Sequence, residues 1–150
     1  MCLRILIMKL SKYLAGMGFL ALMAAGCATG PAYNEYRASL APPREGYGRI
    51  WFYRPTVLPV EVQPVIKLDE KIVGHATPQG FFAVDVPAGP HEVSATMVWK
   101  HSTVITVASN SDSYVRFKPL FGLLGHHFMP EEVNDSFGPN NMQHLHLAVR

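Results

Sequence analysis

The chain has 150 residues, 49% of them hydrophobic and 16% charged, which is enough apolar material for one domain with its own core. Its formal charge of +2 is an N-terminal effect: without Arg4, Lys9 and Lys12, the 13 Lys and Arg fall to ten against 11 acids, a net charge of −1. That balance offers no phosphate-binding surface and excludes nucleic acid as a partner, and two cysteines, Cys2 and Cys27, make no disulfide framework.

Residues 1–26 read as a secretory signal. Arg4, Lys9 and Lys12 form a basic segment without acids, residues 13–25 an apolar run, and Ala24, Ala25 and Gly26 a small-residue cleavage site. The run is shorter than the about 20 apolar residues that a membrane-spanning helix needs. Met8 begins a second complete signal, so translation from Met8 is an alternative to Met1. Ala24-Ala25-Gly26-Cys27 resembles the lipobox of bacterial lipoproteins, with Ala24 where leucine is usual. The resemblance implies cleavage between Gly26 and Cys27, a diacylglycerol and a further acyl chain on Cys27, and hence a membrane partner. With Ala28 rather than aspartate next, it implies the outer membrane, facing the periplasm. Cys2 would leave with the signal, so the mature domain is expected to hold together by its core alone.

Residues 27–47 are polar, contain Pro31, Pro42 and Pro43, and read as the lipidated cysteine and a flexible tether. As coil, residues 28–47 would span roughly 25 Å and hold a domain clear of the headgroups. Tyr33, Tyr36 and Leu40 share a helical spacing, so a short helix packed back on the domain is the alternative.

From Gly48 the pattern changes to the period-two alternation of strands. In GRIWFYRP, Ile50 and Phe52 face one way and Arg49, Trp51 and Tyr53 the other, and Pro55 ends the strand. Residues 65–68 and 72–76 form a hairpin with Asp69-Glu70 at its turn. A two-residue primed turn favours glycine at its second position, so Glu70 argues for a longer turn. Residues 80–86 set Phe82, Val84 and Val86 against Phe81, Ala83 and Asp85. Residues 87–90 (PAGP) turn, and residues 91–99 set Val93, Ala95, Met97 and Trp99 against Glu92, Ser94, Thr96 and Val98. A turn at His101-Ser102, strands over 103–108 and 114–120 with Val115 and Phe117 inward, and a strand over 127–133 complete the domain. Residues 121–125 (FGLLG) read as an apolar loop, and 134–150 as a loop ending in a short helix or strand over 142–149. The expected fold is all-β, an antiparallel β-sandwich of about six to eight strands over residues 48–133.

GRIWFYRP, the VIKLDEKIVGHA hairpin and GFFAVDVPAGPHEVSA resemble a bacterial lipoprotein family known as domain of unknown function 2846, and the second half is similar to the PEGA-type module, in which a V-P-x-G turn joins two sandwich strands. The similarity covers residues 47–133. Glu70 stands where the hairpin glycine is expected, and Pro90 intervenes between Gly89 and His91. The resemblance implies a PEGA-like or prealbumin-like sandwich on a lipid anchor and no activity.

Chemistry-bearing motifs are few. There is no G-x-S-x-G elbow and no thiol left for catalysis, and the carboxylates sit at turns and strand ends, so no enzymatic activity and no cofactor are expected. His144 and His146 on a strand would share a face and form half a metal site, with His126, His127 and Glu131 completing it if the C-terminus folds back. Trp51, Tyr53, Phe81 and Trp99 read either as a stacking surface or as the second layer of a covered sheet. Phe121, Leu123 and Leu124 read either as a contact for an envelope protein or membrane or as a loop tucked into the core. Two readings follow: a lipid-anchored, non-enzymatic module that contacts a partner protein, or a periplasm-facing lipoprotein that binds metal or a small ligand through its C-terminal histidines.

Overall fold

The computed structural model describes residues 28–59, 62–122, 125–134 and 136–148, so the signal, Gly26 and Cys27 lie outside the described residues. The strands are β1 (Tyr47–Arg54), β2 (Val65–Leu68), β3 (Lys71–His75), β4 (Gly80–Pro87), β5 (Gly89–Thr96), β6 (Lys100–Val107), β7 (Asp112–Gly122), β8 (Gly125–Val133) and β9 (His146–Leu147). Two short helices, α1 (Tyr33–Ser39) and α2 (Gly138–Met142), flank them. One sheet runs β8-β7-β1-β4-β9 and the other β3-β2-β5-β6. The protein is an all-β sandwich. Its pairing is mainly antiparallel, with parallel pairs at β1–β7 and β4–β9. The chain passes from one sheet to the other across a single residue: Pro87 pairs with Tyr47, Gly89 with Val107, and only Ala88 lies between. Gly89 takes φ +143° there, a conformation glycine adopts without steric cost.

The alternation read from the sequence sorts the core. Ile50 and Phe52 from β1, Phe82 and Val86 from β4, and Val115 and Phe117 from β7 meet Ile66, Val93, Ala95, Ile105 and Val107 of the other sheet. The opposite parity of the five-stranded sheet is buried as well. Trp51, Tyr53, Phe81 and Tyr114 lie beneath Tyr33 of α1, Met142 of α2 and Leu145. Tyr33 stands edge-on to Trp51 and Phe81, with ring centroids at 5.0 and 5.6 Å. These aromatics are therefore a second core layer, while Trp99 is exposed.

The cover over that second layer corrects the tether expected at residues 27–47. Ala28 donates its backbone N–H to the Pro78 carbonyl (3.4 Å), Gly30 to Leu147 (3.1 Å) and Tyr33 to Leu145 (3.2 Å), and Leu147 donates back to Pro31 (2.9 Å). A Cβ on Gly30 would lie 2.5 Å from the Leu147 carbonyl oxygen, so this approach requires glycine. The helical alternative holds: Tyr33 is buried, with Tyr36 and Leu40 packed against the same cluster. The C-terminus carries both a helix and a strand. The glycines of FGLLG pair with each other at the ends of β7 and β8, so Gly122 and Gly125 belong to strands, whereas Leu123 and Leu124 lie outside the described residues.

Two turns also differ from expectation. The β5–β6 connection is residues 97–99, not His101-Ser102, which is strand. The β2–β3 turn has two residues, Leu68 pairing with Lys71, and Asp69 and Glu70 adopt φ of 48° and 63°. Contacts offset the strain of this left-handed backbone. Asp69 exchanges backbone and side-chain hydrogen bonds with Glu92 and reaches His91 Nδ1 at 2.7 Å, while Glu70 pairs with Lys100. The other His91 nitrogen, Nε2, faces the Pro87 carbonyl at 2.8 Å. Both partners only accept, so the geometry favours the doubly protonated imidazolium. Burial opposes that charge, but the hydrogen bonds to Asp69 and Pro87 prevail and raise the His91 pKa. Asp69 shifts the other way: partial burial resists ionisation, and the bonds from His91 and Glu92 outweigh it.

Two predictions follow. Because Phe81 and Phe82 are both buried, on opposite faces, alanine at either position should lower unfolding free energy by about 3–5 kcal/mol in denaturant titrations; a small effect at Phe81 would mean an uncovered outer face. The stabilisation from His91 is complete below its unfolded pKa of about 6.5 and disappears as pH rises through the higher folded value. Denaturation midpoints should therefore fall as pH is raised from about 6 to about 8, and His91→Gln should flatten that dependence.

Candidate functional site

An open cleft of about 540 Å³ lies where residues 40–43 run between α1 and the β6–β7 turn. Arg37, Arg49, Asp112 and Tyr114 line it, with Pro42 and Pro139 on its rim. Its charges are already matched. Arg49 grips Asp85, its register partner on β4, through two hydrogen bonds of 2.6 and 2.9 Å, and donates a third to the Ala41 carbonyl. Arg37 pairs with Asp112 at 2.9 Å. Burial raises the Tyr114 pKa far above the ordinary phenol value; its hydroxyl lies 3.4 Å from the Tyr33 hydroxyl and donates to Asp112 Oδ2 at 3.4 Å. A phenol held this firmly in its neutral form is no base at neutral pH. In a second cleft of about 420 Å³, Arg116 pairs with Glu131 at 2.7 Å, with Glu132 also in the lining.

The most deeply buried charge is Arg54, which continues the inward parity of Ile50 and Phe52 and is fully buried. Its Nη1 donates to the carbonyls of Val62 and Ala76, and its Nη2 to those of Pro59 and Val57. The guanidinium lies 4.5 Å over the Phe128 ring. Desolvation pulls its pKa down to about 10, so it stays charged at neutral pH. Arg54 thus ties the β1–β2 loop and the end of β3 to one point. The sequence carried a sign of this, an arginine at an inward position just before a strand-ending proline.

The structure separates the histidines proposed as a metal site. His126 and His127 sit on β8 and His146 on β9, the opposite edges of a five-stranded sheet, roughly 19 Å apart at normal strand spacing. His144 precedes β9, and His146 Nδ1 is hydrogen-bonded to the Gly30 carbonyl at 2.9 Å. Glu131 is held by Arg116 and Lys118. His127 instead approaches His101, ring centroids 5.6 Å apart. No group of three or more His, Cys, Asp or Glu side chains arranged to hold a metal occurs among the described residues. The sheet order therefore does not bring β8 and β9, which carry His126, His127 and His146, together.

Of the other expected contact residues, Phe121 lies on β7 opposite His126. Cys27 directly precedes Ala28, the first described residue, which is docked on the sandwich. Ala28 sits beside the β3–β4 turn, at the end where β1 finishes and β4 and β9 begin.

No family model matches the chain. No solved structure matches it. Among curated proteins, an uncharacterized protein of Haemophilus influenzae is 25% identical over 134 residues, which cover 86% of this chain and 80% of the relative.

Proposed function

We propose that this chain is a lipid-anchored protein of the bacterial envelope, held in the outer membrane by Cys27 and facing the periplasm, with a non-enzymatic sandwich that serves as a contact module. The observation that carries this reading is residues 17–27, an apolar signal core ending in Ala24-Ala25-Gly26-Cys27. The resemblance of GRIWFYRP and GFFAVDVPAGPHEVSA to lipoproteins of domain of unknown function 2846 supports it. In the first cleft Arg37 and Arg49 are committed to Asp112 and Asp85, which supports a non-enzymatic reading of it. For a protein partner, edge strand β3 offers unpaired backbone groups beside an exposed Ile72.

Palmitate labelling followed by membrane fractionation tests this reading. The wild-type protein should label and sediment with outer membranes, since several acyl chains exceed the two signals needed for stable residence. Cys27→Ser should lose the label and leave the signal uncut. Unlabelled wild-type protein in a periplasmic extract would refute the anchor.

A further inference from the structure

The loops of the sandwich divide by chemistry between its two ends. One end holds the β1–β2 connection, the β3–β4 turn and the β5–β6 turn, because Arg54 pairs with Gly80 and Val65 with Thr96. The β7–β8 hairpin projects from the same end: Arg116 is level with Tyr53, and β7 continues to Gly122. Most of the exposed large apolar side chains lie here. Leu58 is 68% exposed, Val98 75% and Trp99 53%, with Val57, Leu120 and Met129 also exposed. Ile72, Val104 and Phe137 lie elsewhere. Apart from Glu61, which is outside the described residues, the three connections at this end (residues 55–64, 76–79 and 97–99) contain no acid. The opposite end carries Asp69-Glu70 and the polar turn of residues 108–111.

The docked N-terminus says what meets the apolar end. Ala28 bonds to Pro78 and packs beside Gly80, so the described chain begins docked at this end, one residue after Cys27. One residue of chain reaches at most about 3.6 Å. We infer that the end bearing Leu58, Val98 and Trp99 rests on the lipid surface, with Trp99 at headgroup level. The inference rests on the proposed lipid anchor. A lipidated Cys27 leaves no spacer between this end and the headgroups, and it presents to them a tryptophan and branched aliphatic side chains, with the acids of Asp69-Glu70 at the far end. Tryptophan is favoured at such interfaces, where its ring is half apolar and its N–H reaches water. Few carboxylates at this end limits repulsion from anionic lipid. Contact with lipid also removes from water the apolar side chains that a free sandwich would leave exposed.

Trp51 and Trp99 are the two tryptophans, and Trp51 is fully buried, so fluorescence isolates the site. The lipidated full-length protein would be reconstituted into vesicles of phosphatidylethanolamine with a minority of phosphatidylglycerol, and Cys27 acylation checked by mass spectrometry. Acrylamide quenching of the Trp99 component should fall severalfold relative to an exposed indole, and lipid carrying a spin label near its headgroup should quench it. Trp99→Phe should abolish both responses. Glu45→Trp in the Trp99→Phe background, reporting from the opposite end, should stay open to acrylamide. Full acrylamide access to Trp99 with Cys27 acylated overturns the orientation and leaves the anchor standing. Shielding in native membranes but not in protein-free vesicles assigns this end to a protein and also overturns it. An unacylated Cys27 overturns both readings.

Discussion

The backbone hydrogen bonds that join residues 30–33 to residues 145–147 govern the rest of the arrangement. Gly30 and Leu147 approach so closely that no side chain fits between them, and Pro31, Tyr33 and Leu145 complete the pairing. This clasp brings residues 30–33 and 145–147 together beside the outer layer of the five-stranded sheet. It creates β9, lays α1 over Trp51 and Phe81, and closes the second core layer. A seven-residue helix is too short to persist by itself in water, so α1 depends on this packing. The same clasp keeps residues 30–33 docked on the sandwich.

Buried charge organises the end of the sandwich where the clasp lies. Arg54 would be costly to bury unpartnered. Carbonyl oxygens from residues 57, 59, 62 and 76 surround it instead and share one cation. That arrangement fixes the loop carrying Val57 and Leu58 beside the β3–β4 turn where Ala28 docks. Arg49 plays the matching part toward the other end, holding Asp85 across the strand pair and Ala41 on the segment that follows α1. One arginine faces inward and one outward, five positions apart on the same strand, and each anchors a segment without regular structure.

Most of the strands were legible because each alternates over a half-buried surface. The parity of Ile50, Phe52, Phe82, Val115 and Phe117 was enough to assign the inner core. The outer layer was only half legible. Trp51, Tyr53 and Phe81 announce an apolar second face, but its cover comes from segments whose own signal is weak: three apolar residues spaced along a polar, proline-containing stretch, and a two-residue strand. Trp99 was read as part of the strand because the alternation continues through Met97, and residues 97–99 contain none of the Gly, Pro, Asn or Asp that mark a turn. Asp69-Glu70 misled for a related reason. Its left-handed backbone is sustained by contacts with His91, Glu92 and Lys100, residues distant in sequence. The histidines of the C-terminus looked convergent only while the sheet order was unknown.

Amide hydrogen exchange at Gly30, Tyr33 and Leu147 tests the clasp most directly. If the chain is docked from Ala28 onward, these three amides exchange slowly, with protection approaching that of Ile50 and Phe52 in β1. Exchange at the rate of an unstructured peptide at Gly30 and Tyr33, with β1 still protected, would mean that the N-terminal segment is a free tether and that the domain hangs away from whatever holds Cys27.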